Sequence, residues 1–173
     1  MLKVISIFLF TVFIGCVSTK NTEKTTFWQS WNDVSIKEKI KKKPILIDIY
    51  TDWCVYCKVM DNTVYKSDSV VNYLQQYFYS YKLNAEKNDS VVWNNTLFNY
   101  NSRYQVHDFA VHLTKGNIAY PTTAIVDLDG NSFFETGALN LRQMEFLLRY
   151  FIEAHPYNIS KENFSKIFKN RWK

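Results

Sequence analysis

Apolar positions along the chain change period several times, and each change marks a different kind of element. Residues 4–14 form an almost unbroken apolar run closed by Gly15-Cys16, and residues 17–26 are polar with no period. From 28 to 42 the apolar residues Trp31, Val34 and Ile40 recur at helical spacing, and the pattern stops before Pro44. A helix is predicted there. Ile45-Leu46-Ile47-Asp48-Ile49-Tyr50 is short, apolar and rich in β-branched residues, the signature of a strand buried on both faces. A helix follows to about Val64, and Ser67 is placed to cap another over residues 68–77, with Val70, Val71 and Leu74 inward. Residues 79–83 read as a second strand.

Further on, Val91-Val92-Trp93 and Thr96-Leu97-Phe98 flank Asn94-Asn95, which predicts an inserted hairpin because Asn tolerates the positive φ of a tight turn. Residues 107–115 form a helix ended by Gly116. After Pro121 comes a strand over 122–127, a turn at Asp129-Gly130 and a returning strand over 132–135. Residues 140–154 make an amphipathic helix with Leu141, Met144, Leu147, Leu148 and Phe151 on one side, and 160–168 one more. Strands separated by helices early, with a hairpin late, imply an α/β fold: a central mixed sheet covered by helices on both faces. No repeat or low-complexity tract interrupts it.

The chain has 173 residues, 47% of them hydrophobic, which suffices for one domain with a true core. Its formal charge of +5 is spread out, so nucleic acid is not an expected partner. The basic run Lys41-Lys42-Lys43 reads as a solvated helix end.

The first sixteen residues are too short to span a bilayer as a helix, which takes roughly 20. They have the proportions of a secretory signal. Phe13-Ile14-Gly15-Cys16 resembles a bacterial lipoprotein processing site, with Phe13 where Leu is usual. On this reading Cys16 is lipidated, residues 17–27 are a tether, and the protein sits in the cell envelope on a membrane anchor. Ordinary signal cleavage and an uncleaved apolar anchor are the other readings.

With Cys16 so assigned, the remaining cysteines are Cys54 and Cys57. A disulfide across so short a loop constrains the unfolded chain little, so the pair reads as reactive rather than structural. Half of a zinc site is the bland alternative. It lacks two further ligands, and His107 and His112, five apart, do not share a helix face. No metal or cofactor is expected. Cys54 stands between a buried strand and a helix start, where free N–H groups and the helix dipole lower a thiol's pKa. Cys57, one turn on, is placed to resolve a mixed disulfide. Asp48, in an apolar strand, would have its pKa raised by desolvation, poised to take a proton from Cys57, and Lys82 could pair with it.

The stretch from Ile45 to Lys58, with Trp53-Cys54-Val55-Tyr56-Cys57-Lys58 at its end, resembles the active-site segment of thioredoxins. Lys82-Leu83-Asn84 resembles their next strand, and Tyr120-Pro121-Thr122 their cis-proline loop. Thr51 to Met60 is similar in detail to thioredoxin-like proteins exported by Bacteroidetes-type bacteria and to the C-terminal periplasmic domain of the disulfide reductase DsbD. The resemblance implies a thioredoxin fold over 28–155, with an insertion of about 85–116 between the second and third core strands and a C-terminal helical extension over 156–173. It implies Cys54 as nucleophile, Cys57 as resolving thiol, and Asp48 and Lys82 as proton handlers. Trp53, Val55, Tyr56, Tyr120 and cis-Pro121 become substrate-groove residues. Val55-Tyr56 replaces the Gly-Pro of thioredoxin itself, at the position that tunes reduction potential.

The expected activity is thiol–disulfide exchange. It would reduce or isomerise disulfides of exported proteins, with a membrane or periplasmic electron donor and a monomeric state. A donor of oxidising equivalents is a second possibility. A redox-inactive binding module for an envelope partner is a third.

Overall fold

The computed structural model describes residues 26–172. The leader with Cys16, and the tether as far as residue 25, lie outside them.

Helix α1 spans Trp31–Ile40 and starts at Ser30, whose Oγ accepts the Asp33 N–H at 3.1 Å. Trp31 and Val34 are buried as expected, but Ile40 is 81% exposed. Nine residues at 100° each turn Ile40 to the face opposite Trp31, so the expectation of an inward Ile40 fails on geometry. The helix is also shorter than the predicted 28–42, because Ser30 supplies the cap and Lys41 is extended.

Strand β1 (Ile45–Tyr50) is followed by α2 (Val55–Thr63), α3 (Asp68–Tyr77) and β2 (Tyr79–Asn84). Ser67 holds the cap position of α3 but makes no side-chain cap bond, and Val71 is only partly buried. The insertion supplies β3 (Ser90–Trp93), β4 (Thr96–Asn101), β5 (Val106–His107) and α4 (Asp108–Leu113). The chain continues with β6 (Thr122–Val126), β7 (Ser132–Thr136), α5 (Leu141–Glu153) and α6 (Lys161–Ile167).

The main sheet runs in the order β2-β1-β6-β7, with β1 parallel to β2 and antiparallel to β6. β1 is therefore central, which is why it carries no polar face. Side chains alternate across it. Ile45, Ile47 and Ile49 enter one core with Trp31, Val34, Phe109 and Leu113, on the side of α1, α4 and the insertion. Leu46 enters the other with Met60, Leu74, Leu148 and Phe151, beneath α2, α3 and α5. Each fully buried Leu, Ile or Phe contributes roughly 1.5–3 kcal/mol. By the same alternation Asp48 points to the α2 side.

The predicted hairpin is present: Asn94 and Asn95 take φ of 47° and 61°, the positive values a two-residue turn requires. It forms a second small sheet, order β3-β4-β5, docked on α1 through the Trp31 indole N–H, which donates to Val92 O at 2.9 Å. In α5, Met144, Leu147, Leu148 and Phe151 are buried as read, and so are Glu145 and Arg149, which were not. After α6 the chain folds back, and the N–H groups of Arg171 and Trp172 donate to the Glu145 carboxylate at 2.9–3.1 Å. Among the described residues no helix is long and apolar enough to cross a membrane.

Candidate active site

The site lies past the end of β1. Tyr50 closes the strand, Thr51 is buried, and the Cys54 N–H donates to Thr51 O at 3.2 Å in the turn that starts α2. Cys54 occupies the N-cap, where Ser, Thr, Asp or Asn is the usual choice. Its Sγ accepts the Cys57 N–H at 3.1 Å. Charge on that sulfur would strengthen this bond and meet the positive end of the helix. Cys54 and Cys57 are disulfide-bonded and only 4% and 3% exposed.

Around this shielded pair stand exposed apolar side chains: Trp53, Val55, Tyr56 and Val59. Val55 and Tyr56 point outward because the helix turns only the residues of the Cys57 and Met60 face into the core. The Trp53 indole N–H donates to the Glu86 carboxylate at 3.0 Å, and the edge of the Tyr120 ring meets Trp53 at a centroid distance of 5.8 Å. The Tyr120-Pro121 bond is cis, and Pro121 is buried at the entry to β6.

On β1, the strand that leads to the pair, Asp48 is 2% exposed. It stands opposite Lys82 on β2 and Thr123 on β6. Its Oδ2 lies 3.4 Å from Lys82 Nζ, and its Oδ1 accepts from the Tyr65 hydroxyl at 3.4 Å. Burial pushes its carboxyl up to about 6, against the pull of Lys82 and with a further push from Asp61. Lys82 is shared: it also binds Asp61 on α2, and the rings of Tyr50 and Trp28 lie 4.7 and 5.4 Å from its ammonium. A cleft of about 430 Å³, lined by Phe27, Trp28, Asp61, Tyr65, Val71 and Lys82, opens this group to water.

Every site residue named from the sequence within 26–172 falls in one of these two groups, the mouth or the buried acid. Asp61, Tyr65 and Glu86 were not foreseen. Asp61 was findable, because it lies seven residues after Cys54 and so on the same side of α2. Glu86 was not, since only the fold brings its loop to Trp53. No cluster of three or more His, Cys, Asp or Glu side chains is placed to hold a metal among the described residues.

A family model described as a thioredoxin-like domain matches residues 32–152. The chain belongs to the thioredoxin-like family. Among solved structures, a thioredoxin-fold protein from Helicobacter pylori is similar over 82% of this chain and 84% of its own, at 15% identity and TM-score 0.56. A thioredoxin from Thermus thermophilus covers 83% and 97% at 10% identity, TM-score 0.49. The C-terminal domain of Neisseria meningitidis DsbD in its reduced form covers 71% and 90% at 19% identity, TM-score 0.43. No curated protein sequence matches. The thioredoxin-like domain, with its paired cysteines at the start of α2, makes thiol–disulfide exchange the general chemistry of this site.

Proposed function

We propose that this thioredoxin-like protein reduces or isomerises disulfides of exported proteins, with Cys54 as nucleophile and Cys57 as resolving thiol. The observation that carries the reading is the Cys54 sulfur at the α2 N-cap, shielded from water yet ringed by exposed Trp53, Val55 and Tyr56. Such a rim suits an apolar polypeptide segment better than a small polar thiol.

The cycle starts when an external dithiol in the membrane or periplasm delivers two electrons and two protons to the Cys54–Cys57 disulfide. The Cys54 thiolate attacks one sulfur of a substrate disulfide, and the other leaves as a thiolate and is protonated. Cys57 loses its proton, attacks Cys54 Sγ and displaces the second substrate thiol, restoring the internal disulfide. Asp48, mostly unprotonated near neutral pH, is the group suited to receive the Cys57 proton. Lys82 steadies the resulting charge distribution. Trp53, Val55, Tyr56, Tyr120 and Pro121 form the groove. The apolar run ending at Gly15-Cys16 supports placement in the cell envelope on a lipid anchor, and the protein acts as a monomer.

Equilibration in graded dithiol/disulfide buffers, with free Cys54 and Cys57 counted by alkylation, tests the reading. A single two-electron transition at roughly −270 mV marks a reductant; one near roughly −120 mV reverses the direction of electron flow. If the pair never forms a disulfide in any buffer, the exchange reading is wrong.

A further inference from the structure

His107 is wholly buried at the N-cap of α4 and touches the loop 85–89 at both ends. Its backbone N–H donates to Ala85 O at 2.7 Å, while the Ala85 N–H donates to Tyr50 O at 2.8 Å. Its ring Nδ1 accepts the Phe109 N–H at 3.1 Å, so the neutral ring carries its proton on Nε2. Nε2 faces Asp89 Oδ1 at 3.4 Å, both atoms are sealed from solvent, and the Asp89 main chain also lies against the ring. A buried donor and a buried acceptor left unmatched are each costly, so these two are complements.

Between those anchors lies Glu86, the residue that takes the Trp53 indole N–H. Its own N–H donates to Asn84 Oδ1 at 3.0 Å, and the loop runs directly from Asp89 into β3 of the insertion. The same histidine thus binds the loop by backbone at 85 and faces it with its ring at 89.

We propose that His107 is a positioning residue for Trp53: with Asp89 as partner it clamps loop 85–89 and holds Glu86 where it orients the indole beside Cys54–Cys57. The inference rests on Trp53 being part of the substrate groove. The charges around the ring fit a clamp that is closed at neutral pH. Burial lowers the His107 pKa, outweighing the carboxylates of Asp89 and Asp108 that raise it. A second proton would have to enter at Nδ1 and break the Phe109 bond. Asp89 also faces Lys87 at 3.9 Å and Tyr81 on β2, whose hydroxyl pKa is pushed up to about 12 by burial and then by the Asp89 carboxylate.

The test is the indole N–H resonance of Trp53 in the ¹⁵N-labelled full chain at pH 7 in detergent, assigned by its loss in Trp53→Phe. Asp89→Ala and His107→Ala are expected to move it toward the position it takes in Glu86→Ala. Asp89→Asn, which keeps an acceptor for Nε2–H, restores the native position. KM for the disulfides of insulin rises several-fold in Asp89→Ala, while kcat and the rate with a small aromatic disulfide stay unchanged. A native indole resonance in folded Asp89→Ala overturns the proposal, and that variant decides alone if His107→Ala does not fold. A wild-type chain that reduces no disulfide would sink the exchange reading, while the indole shifts would still decide the clamp.

Discussion

Asp48 and Lys82 face each other on adjacent parallel strands, carboxylate oxygen to ammonium 3.4 Å apart, yet burial outweighs the pairing and keeps the acid's pKa near 6. An ion pair on the surface would do the reverse. The difference lies in where the strands sit: β1 is central and its α2 face is capped by Met60, Val64 and Tyr65. The acid is therefore mostly ionised at neutral pH yet far more basic than an exposed carboxylate, which suits a group that accepts a proton and gives it back.

Asp48 should cost stability at neutral pH. Its folded pKa of about 6 lies above the ordinary 3.8, so the folded state binds the proton more tightly than the unfolded chain. That advantage is complete below about pH 4 and is lost as pH rises through 6, a difference of about 2–3 kcal/mol. Asp48→Asn should remove that fall and be more stable than wild type at pH 7.5, but not at pH 4. Urea midpoints at the two pH values measure it. The same variant should slow release of the mixed disulfide on Cys54 about a hundredfold or more, in the range of lost general-base assistance.

Lys82→Met should move the Asp48 carboxyl further up. The lysine is the main influence lowering it, and its loss leaves Asp61, which raises it, as the charge acting on it among the described residues. The pH at which the Cys57 step accelerates then rises as well. Alkylation rate of Cys57 against pH, compared in wild type and Lys82→Met, reads the displacement. A downward shift, or none, would mean that Lys82 acts on Asp61 alone.

Much of this could be read from the chain because contiguous residues carried it. The β-branched run 45–50 fixed a buried strand, its single charge stood out, and the two cysteines followed at the strand's end. Lys82 was legible because it lies near the end of the next strand, and the fold then sets it opposite Asp48. Glu86 and His107 were not, since each matters only through a loop whose path the hydrophobic pattern does not encode. Ile40 misled because an apolar residue near a helix end was given to the core without turning the helix through its full angle. Glu145 and Arg149, four apart, look like an exposed helical ion pair. They are buried only because the C-terminal segment folds back over α5.

That fold-back makes Glu145 a structural anchor. Its carboxylate takes Arg149 Nη1 at 2.9 Å and the N–H groups of Arg171 and Trp172, and the Trp172 ring meets Tyr73 at 5.3 Å. Glu145→Ala leaves Arg149 paired with Glu153 but orphans the N–H groups of Arg171 and Trp172, a loss of about 2–4 kcal/mol. For a domain of this size that is on the order of 10 °C in Tm. Calorimetry should show the drop, with the Cys54–Cys57 potential unchanged, because the anchor lies on α5 and away from the mouth.

The division of labour between the cysteines gives the sharpest outcome. Only Cys54 has its sulfur at the α2 N-cap, accepting a backbone N–H, so only Cys54 gains from the helix end when it ionises. Cys57 lies within the first turn, facing the core with Met60, and its proton must leave through the protein. Cys57→Ser should therefore attack a protein disulfide at close to the native rate and then stall as a mixed disulfide, visible on a non-reducing gel and released by added dithiol. Cys54→Ser should form no such adduct. If both single variants trapped substrate equally, the N-cap placement of Cys54 would not be what selects the nucleophile, and the exposed rim around the pair would have to do so instead.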